Sequence, residues 1–281
     1  MNQHVNQRAL QRFVRYKPYL LNLGLTTLIL LGLALFKGFA PFGSNSMLTI
    51  DLGQQYIDFF SLFRQTLTQT PEQFLYSFQK GYGGEMIGVW AYYLMSPFNL
   101  VLLLFDEQHL AVGVTLLTYL KLAGASLTFF YFARKKYQTN TVMSSLFANA
   151  YALMSYTFTY MLNIMWFDVL VFLPLIALGL DRIMTQRRSK LYVIMLAVSL
   201  ISNYNIGFMM CIVLAFYAGY VIFEKFPKVT IKSFIQHYSD FVIQSLMGAA
   251  ISAMMLIPTF MALLSSKATH TKTDWNWDVA H

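Results

Sequence analysis

The longest uncharged runs of this chain are about as long as a lipid bilayer is thick. The first of them, from Tyr19 to Phe36, contains no Asp, Glu, Lys or Arg, and an α-helix needs about 20 apolar residues to cross the hydrocarbon core. Only 11% of the 281 residues are charged and 57% are hydrophobic, which leaves too few charges for the surface of a water-soluble domain. The chain is therefore predicted to be an all-α polytopic membrane protein.

Seven apolar runs are interpreted as membrane spans. Their predicted bounds are 19–36, 110–133, 141–160, 164–180, 191–204, 206–223 and 241–264. The fifth run is short, and the polar residues Asn203 and Asn205 separate it from the sixth, which indicates a tight helical hairpin. Residues 19–264 are thus predicted to form one transmembrane module, between a basic N-terminal segment, 1–18, and a segment outside the membrane, 265–281.

The positive charges predict the orientation of these spans. With segment 1–18 in the cytoplasm, 14 of the 20 Lys and Arg residues fall in inner segments, five fall in outer segments, and Lys121 lies inside a span. Lys and Arg in short loops are retained on the cytoplasmic side, so the distribution favours a cytoplasmic N-terminus and an extracytoplasmic C-terminus. The +8 charge is divided among small clusters rather than along one stripe, which argues against a nucleic-acid partner.

The predicted outer loop, 37–107, is the longest segment between two spans. Its apolar stretch 86–105 must not cross the membrane if the basic cluster after the second span is to remain inside. The Ser96–Pro97 break and the surrounding aromatic residues favour a broken helix at the membrane interface. Together with an earlier helix that begins near Asp51, this stretch predicts two interfacial juxtamembrane helices in the loop.

The first of these helices carries the candidate catalytic carboxylate, Asp51. Helical spacing of i, i+4 and i+3 places Asp51, Gln55 and Asp58 on one face. Asp51 either stabilises the N-terminus of the helix or faces a cavity at the membrane boundary as a general base. In the second interpretation Gln55 orients a substrate hydroxyl, and Tyr56 or Tyr82 offers a stacking face to a sugar.

Four other residues of the loop are candidate substrate-binding residues. Asp58 is a second carboxylate of the same site, a partner of Arg64 or a solvated side chain. Arg64 and Lys80 are cations suited to a phosphate at headgroup depth, with contact to membrane lipids as the alternative. Glu85 is either a ligand for a metal or hydroxyl group or a solvated turn residue.

The fourth predicted span brings three further candidates. Asn163, Trp166 and Asp168 lie at its outer entrance, and a carboxylate inside a span is unfavourable unless it faces protein or water. Asp168 is therefore a functional candidate. Lys121 is the other charge within a span, and its partner is left open.

Several kinds of chemistry lack their sequence signature. The chain contains no Walker loop, HExxH, GxSxG or paired CxxC motif, so a nucleotide-driven pump, a zincin and a serine hydrolase have no support. Its single cysteine, Cys211, lies in an apolar run and is interpreted as a packing residue. No cofactor is predicted, and a divalent metal ion is left open.

Four segments together resemble the YfhO-type bacterial membrane proteins. In chain order they are DLGQQYIDFFSLFR, FLYSFQKGYGGEMIGVWAYYLMSPFNLVLLLF, NIMWFDVLVFLPLIALGLDRI and SNYNIGFMM. The resemblance covers nearly the whole chain, and its most specific parts are the segment from Asp51 to Arg64 and the break Ser96-Pro97-Phe98-Asn99. That family looks like part of the GT-C superfamily of membrane glycosyltransferases.

The resemblance implies sugar transfer from a polyprenyl-phosphate donor to a cell-envelope polymer such as lipoteichoic acid, outside the membrane. It implies Asp51 as the catalytic acidic residue that such enzymes carry in the first outer loop, and a core of seven spans with two juxtamembrane helices. Family members are usually longer, so residues 265–281 are expected to begin a missing C-terminal region. The alternatives are an inactive fragment and a transporter or lipid-handling scaffold, in which Lys121 and Asp168 line a pathway.

Overall fold

A computed structural model describes residues 2–264, with side chains for residue 14 and residues 16–264. In that range the chain is mainly helical. The α-helices are α1 (Asn2–Lys37), α2 (Ile57–Thr68), α3 (Ile87–Val89), α4 (Leu110–Lys136), α5 (Thr141–Ala152), α6 (Ser155–Thr159), α7 (Phe167–Gln186), α8 (Lys190–Ser202), α9 (Tyr204–Lys225) and α10 (Ile231–Leu264). The predicted all-α polytopic fold is confirmed. Segment 265–281 lies outside the described residues.

Short helices of other types and one small hairpin complete the secondary structure. Leu52–Tyr56 and Trp90–Leu94 are π-helical, whereas Pro71–Phe74, Pro97–Leu104 and Ile164–Trp166 are 3₁₀-helical. Strands β1 (Tyr76–Ser77) and β2 (Gly84–Glu85) pair antiparallel. Most of these elements lie between α1 and α4, in what we call the 38–109 segment.

Five helices in the described range are long and apolar enough to cross a bilayer. They comprise Tyr16–Lys37, Leu110–Lys136, Ile164–Gln186, Tyr204–Lys225 and Ile231–Leu264. The predicted span 141–160 is instead divided into α5, of 12 residues, and α6, of five, and α8 has 13 residues. At 1.5 Å per residue, α5 and α8 reach about 20 Å, short of the roughly 30 Å hydrocarbon core. The chain is a multi-pass membrane protein, and the number of seven spans stays a prediction.

Helices α4, α7 and α8 form the centre of the bundle. Helix α4 packs against α1, α5 and α7, and α8 packs between α7 and α10. Leu117, Ile176 and Leu180 are fully buried there, whereas α9 and α10 expose large apolar side chains such as Phe216 and Met254. This distribution suits a bundle whose surroundings are lipid.

A buried polar network joins α1, α4 and α5. Asn22 Nδ2 donates to Ser126 Oγ at 3.1 Å, and the Thr26 hydroxyl lies 2.8 Å from the same oxygen. Thr26 Oγ1 also lies 2.9 Å from Asn149 Oδ1, and Asn149 Nδ2 lies 3.4 Å from Asn22 Oδ1. Polar side chains in a membrane bundle associate in this way because lipid offers them no hydrogen bonds.

The apolar stretch 86–105 is bent by 89° between Ile87–Leu94 and Pro97–Leu104. Ser96 initiates the second part, since its Oγ accepts a hydrogen bond from Phe98 N and Pro97 occupies the first turn. Pro97–Leu104 then runs antiparallel to α4. An added Cβ at Gly124 would lie 3.7 Å from the Phe98 ring, and one at Gly113 would lie 2.9 Å from the Phe105 ring. A bent segment that runs back along α4 favours the interpretation that residues 86–105 do not cross the bilayer. This interpretation stays a prediction.

Candidate functional site

The backbone around Asp51 is strained. Ile50, immediately before it, has φ +48°, a left-handed conformation that is rare for a β-branched residue. At Gly53 an added Cβ would lie 2.6 Å from the Leu48 carbonyl oxygen, so only glycine allows this close approach. The following turn, Leu52–Tyr56, is π-helical. Strained residues and π-helical turns both concentrate at functional sites, which makes this segment a candidate site.

The Asp51 side chain is exposed and makes no capping hydrogen bond. The first amides of the helix, Leu52 N and Gly53 N, instead donate to the Thr49 carbonyl at 3.2 and 3.4 Å. The structure therefore does not show the capping role that the sequence left open for Asp51. Its carboxylate is available to a ligand.

The Asp51 carboxylate interacts with the Tyr56 phenol. Burial, followed by the negative charge of Asp51, raises the pKa of Tyr56. The phenol therefore keeps its proton at neutral pH and donates it to Asn163 Oδ1 at 3.2 Å. Asn163, a predicted site residue, thus connects the Asp51 segment to the start of α7.

Tyr56 is one of five aromatic side chains on one side of the site. We call this set the aromatic wall; its members are Tyr56, Tyr92, Tyr93, Trp166 and Tyr204. The ring centroids of Tyr56 and Tyr93 lie 5.2 Å apart, those of Tyr92 and Tyr93 4.6 Å, and those of Tyr92 and Tyr204 6.0 Å. Trp166 Nε1 donates to the Tyr92 hydroxyl at 3.1 Å. Such rings present apolar faces together with polar edges.

The predicted intramembrane charges form a buried ion pair. Lys121 Nζ lies 2.6 Å from Asp168 Oδ2, and the two side chains are 1% and 2% exposed. Asp168 Oδ1 accepts a hydrogen bond from Ser96 Oγ at 2.6 Å, and Lys121 also donates to the Ile164 carbonyl at 3.0 Å. Asp168, predicted to bind substrate, thus has protein partners on both oxygens. Through these contacts the ion pair holds the bend at Ser96 and the residues before α7 against α4.

This ion pair also determines how deep the site lies. Asp168 is the second residue of α7, whereas Lys121 is the twelfth residue of α4. The two helices therefore start at different levels, and α7 begins about 15 Å along α4. Asn163 and Trp166, which directly precede α7, are consequently recessed from the first turn of α4.

Arg64 is engaged within the 38–109 segment. Its Nη1 lies 2.8 Å from Glu107 Oε1, and Ser61 Oγ donates to the other oxygen of the same carboxylate at 2.8 Å. This ion pair joins α2 to the residues that precede α4. The possible pairing of Asp58 with Arg64 is thus replaced by Arg64–Glu107, and Asp58 has no ion pair among the described residues.

Lys80 and Glu85 face each other across the β1–β2 hairpin. Lys80 Nζ donates to the Glu85 carbonyl and lies 3.7 Å from its Oε1. Glu85 Oε2 in turn accepts from Gly88 N at 3.4 Å. Tyr82 is fully exposed at the turn of this hairpin, away from the aromatic wall. Within residues 2–264 no three His, Cys, Asp or Glu side chains form a metal-binding cluster.

The helix face predicted for Asp51, Gln55 and Asp58 is divided in the structure. Gln55 and Asp58 line a cavity of about 310 Å³ between α2 and the hairpin, which Asp51 does not line. The π-helical turn changes the hydrogen-bond spacing from i+4 to i+5 and so rotates Asp51 relative to α2. We call this cavity the amide groove; its polar side chains are Gln54, Gln55, Asp58, Gln79 and Lys80.

Sequence reasoning did not single out Tyr92, Tyr93 and Tyr204 of the aromatic wall or Gln54 and Gln79 of the amide groove as site residues. Two doublets, Tyr92-Tyr93 and Gln54-Gln55, fall in π-helical turns. The position of Gln54-Gln55 just after the candidate carboxylate Asp51 is a signal that points to Gln54.

The fold defines the class of the protein, which is a polytopic α-helical membrane protein. Its candidate site combines an exposed carboxylate on strained backbone with the aromatic wall. The amide groove lies beside that carboxylate's helix, in the chain segment that joins the first two long helices. A family model described as "Bacterial membrane protein YfhO" matches residues 22–281. The chain belongs to the YfhO family, as the resemblance indicated. Comparisons with curated proteins and with solved structures find no match.

Proposed function

We propose that this YfhO-family protein is a membrane glycosyltransferase that transfers a sugar from a polyprenyl-phosphate donor to a hydroxyl group of a cell-envelope polymer such as lipoteichoic acid. The observation that supports it is Asp51, an exposed carboxylate without a capping role, on strained backbone beside the aromatic wall. Aromatic faces suit the apolar faces of sugar rings, and a nearby carboxylate suits the removal of a hydroxyl proton.

In the proposed reaction Asp51 takes the proton of the acceptor hydroxyl while the hydroxyl oxygen attacks the anomeric carbon of the donor sugar. The bond between that carbon and the phosphate oxygen breaks, and its electron pair leaves with the lipid phosphate. The configuration of the sugar is inverted, because attack and departure occur on opposite faces. Gln55 lines the amide groove, which Asp51 does not line, so in this proposal it orients the acceptor beside the hydroxyl that Asp51 deprotonates.

The departing phosphate gains negative charge and needs a cation. Arg64 and Lys80 are the proposed candidates, and each is held by a carboxylate in the described structure. Of the two, Lys80 leaves its carboxylate more readily to bind a phosphate. The Lys80 side chain is 42% exposed, and its Nζ lies 3.7 Å from the Glu85 carboxylate. The Arg64 side chain is only 14% exposed, and its Nη1 lies 2.8 Å from the Glu107 carboxylate.

The proposal places the site outside the cytoplasm of a bacterial cell. The Lys and Arg distribution, with 14 residues in the segments assigned to the inside and five in those assigned to the outside, supports a cytoplasmic N-terminus and an extracytoplasmic C-terminus. A polyprenyl donor dissolves in the bilayer, so its phosphate reaches the protein at headgroup depth, where an interfacial loop segment lies.

Sugar transfer in membranes that contain Asp51→Asn tests the proposal. Labelled polyprenyl-phosphate sugar is supplied, and incorporation into envelope polymer is measured for the parent, for Asp51→Asn and for the matched control Asp106→Asn. Asp106 is another exposed carboxylate of the 38–109 segment, and it is bonded to His109. Loss of the general base should lower the rate by about 10²- to 10⁴-fold, while the control keeps it.

Equal amounts of inserted protein must be confirmed for all three forms. Undiminished transfer by Asp51→Asn would remove Asp51 from this role. Absence of transfer by the parent, with the protein inserted, would contradict the proposed activity itself. The transport alternative gains no support, because Lys121 and Asp168 are bonded to each other and withdrawn from solvent.

A further inference from the structure

A long apolar groove runs between α9 and α10. Its cavity has a volume of about 580 Å³, well within the roughly 300–1,000 Å³ typical of ligand pockets. Ala249 and Ala253, one turn apart on α10, leave this space because their side chains are small. From Ala249 to Phe260 the groove follows α10 for about 16 Å, which is about half of the hydrocarbon core. We call it the α9–α10 groove.

The α9–α10 groove suits a hydrocarbon chain. None of its described lining residues is charged, and the Thr259 hydroxyl is occupied by a hydrogen bond to the Met255 carbonyl at 2.6 Å. Phe208, Ile257 and Phe260 line the groove and are 64%, 59% and 61% exposed, so the groove opens sideways to the surrounding lipid. A ligand dissolved in the bilayer can therefore enter it directly.

One residue of this groove, Tyr204, also belongs to the aromatic wall. Its ring centroid lies 6.0 Å from that of Tyr92. Asn203, its neighbour in the chain, is buried and donates from Nδ2 to the Tyr92 carbonyl at 2.8 Å, which holds the α8–α9 turn against the wall. Cys211 lines the groove about 10 Å further along α9. A chain molecule in the groove thus has one part beside the aromatic wall and another deeper in the bilayer.

Helix α10 also adjoins the segment that carries Lys80. It packs against α3, which begins two residues after Glu85, and Glu85 is the partner of Lys80. The groove and the candidate phosphate cation thus belong to neighbouring elements. This arrangement suits a ligand that joins a hydrocarbon chain to a phosphate.

The link between the hydrocarbon chain and the reacting group distinguishes the two proposed substrates. In a polyprenyl-phosphate sugar a single phosphate separates the chain from the anomeric carbon, so the start of the chain must lie near the reaction site. The hydroxyl groups of an envelope polymer are repeated along its length, and most of them are far from any lipid anchor. A chain-binding groove that directly joins the aromatic wall therefore favours the donor.

We propose that the α9–α10 groove binds the polyprenyl chain of the donor and so places the sugar phosphate beside the aromatic wall. Ala249 and Ala253 provide the space for the chain, and Tyr204 lies where the chain meets the headgroup. The word donor rests on the proposed function, whereas a site for a phosphate-linked hydrocarbon chain follows from the groove and its neighbours.

The test is photo-labelling of the full chain in detergent micelles with a polyprenyl phosphate that carries a diazirine in its hydrocarbon chain. We expect saturable labelling, with the labelled peptides derived from α9 and α10. Ala249→Phe/Ala253→Phe fills the groove and should raise the probe concentration for half-maximal labelling about tenfold, since the chain loses the burial of about two methylene groups.

Ala250→Phe is the matched control, because Ala250 is the exposed neighbour of Ala249 and does not line the groove. It should be labelled like the parent. A thermal unfolding curve for each form verifies that the variants are folded, and the position of the label in the parent tests the groove without any variant.

Competition separates a prenyl chain from the fatty-acid chains of membrane lipids. An excess of unlabelled polyprenyl phosphate should suppress the labelling, whereas an equal excess of phosphatidic acid, which joins acyl chains to a phosphate, should not. Labelling outside α9 and α10, equal labelling of the parent and the double variant, or equal suppression by phosphatidic acid overturns the proposal.

The outcome for the groove is distinguishable from the outcome for the reaction. Groove-dependent labelling without sugar transfer by any form keeps the α9–α10 groove as a prenyl-phosphate site and rejects the glycosyltransferase function. Sugar transfer that depends on Asp51, in a protein whose groove is not labelled, keeps that function and rejects the groove.

Discussion

The buried ion pair in the helix bundle is bonded on both sides to protein groups, whereas several exposed polar side chains near Asp51 form no hydrogen bond or ion pair with another described residue. Lys121, Asp168 and Ser96 satisfy each other in the centre of the membrane bundle. In the amide groove the side chains of Gln54, Gln55 and Asp58 face a cavity. The buried groups stabilise the fold through their partners, whereas the exposed groups are solvated and accessible to a ligand.

This difference separates two candidate site residues, Asp168 and Asp51, that the sequence alone does not distinguish. Asp168 and Asp51 were both singled out as carboxylates near a membrane boundary. The first is 2% exposed and has a lysine and a serine as partners, while the second is exposed and makes no capping bond. Substitutions should therefore affect folding at one carboxylate and activity at the other.

The largest loss of stability is expected from Lys121→Met. The variant leaves the Asp168 carboxylate buried without a cation, which typically costs about 3–5 kcal/mol. Lys121→Met/Asp168→Leu removes both charges and should be clearly more stable than the single variant. Unfolding in detergent micelles measures the difference, with the exposed Lys232→Met as the control. Equal stability of the single variant and the parent would show that the pair does not hold the bundle together.

A smaller loss is expected from Asn149→Ala in the network that joins α1, α4 and α5. Asn149 contacts Thr26 at 2.9 Å and Asn22 at 3.4 Å. Interhelical hydrogen bonds in membrane bundles contribute about 0.6 kcal/mol on average and at most about 1.7. The same unfolding measurement should place this variant between the parent and Lys121→Met. The control is Asn205→Ala, and a loss as large as that of Lys121→Met would contradict the expected order.

The smallest effect on stability is expected at the exposed carboxylates Asp51 and Asp58. Asp51→Asn and Asp58→Asn each remove a charge that no described ion pair uses, so the free energy of unfolding should stay within about 0.5 kcal/mol of the parent. Sugar transfer by Asp51→Asn should nevertheless be lost. A destabilisation comparable to that of Lys121→Met would make these residues structural and would remove the distinction between the two regions.

The long helices were predictable because each contains an uncharged run of bilayer length. Helices α1, α4, α7, α9 and α10 all coincide with such a run. The runs 141–160 and 191–204 gave shorter helices, since a break at Leu153-Met154 and the turn at Asn203 interrupt them. Apolarity alone does not reveal where packing permits a helix to end.

The site was only partly predictable. Asp51, Gln55 and Asp58 were found from spacing, but that spacing assumed an α-helix, and the π-helical turn at Leu52–Tyr56 moves Asp51 away from the groove. The partner of Lys121 was left open because Asp168 lies 47 residues later in the chain. Contacts between residues so far apart in the chain depend on how the helices pack, and a single sequence carries little information about helix packing.

The left-handed backbone at Ile50 has a consequence for protein engineering. A designer who seeks a heat-resistant form would replace Ile50 by Asn or Gly, which accept this conformation more easily. The same exchange would relax the backbone next to Asp51, the proposed general base, and substitutions that stabilise a strained active site commonly lower its activity. Position 50 is therefore a place where a screen for thermostability and a screen for activity would select different amino acids.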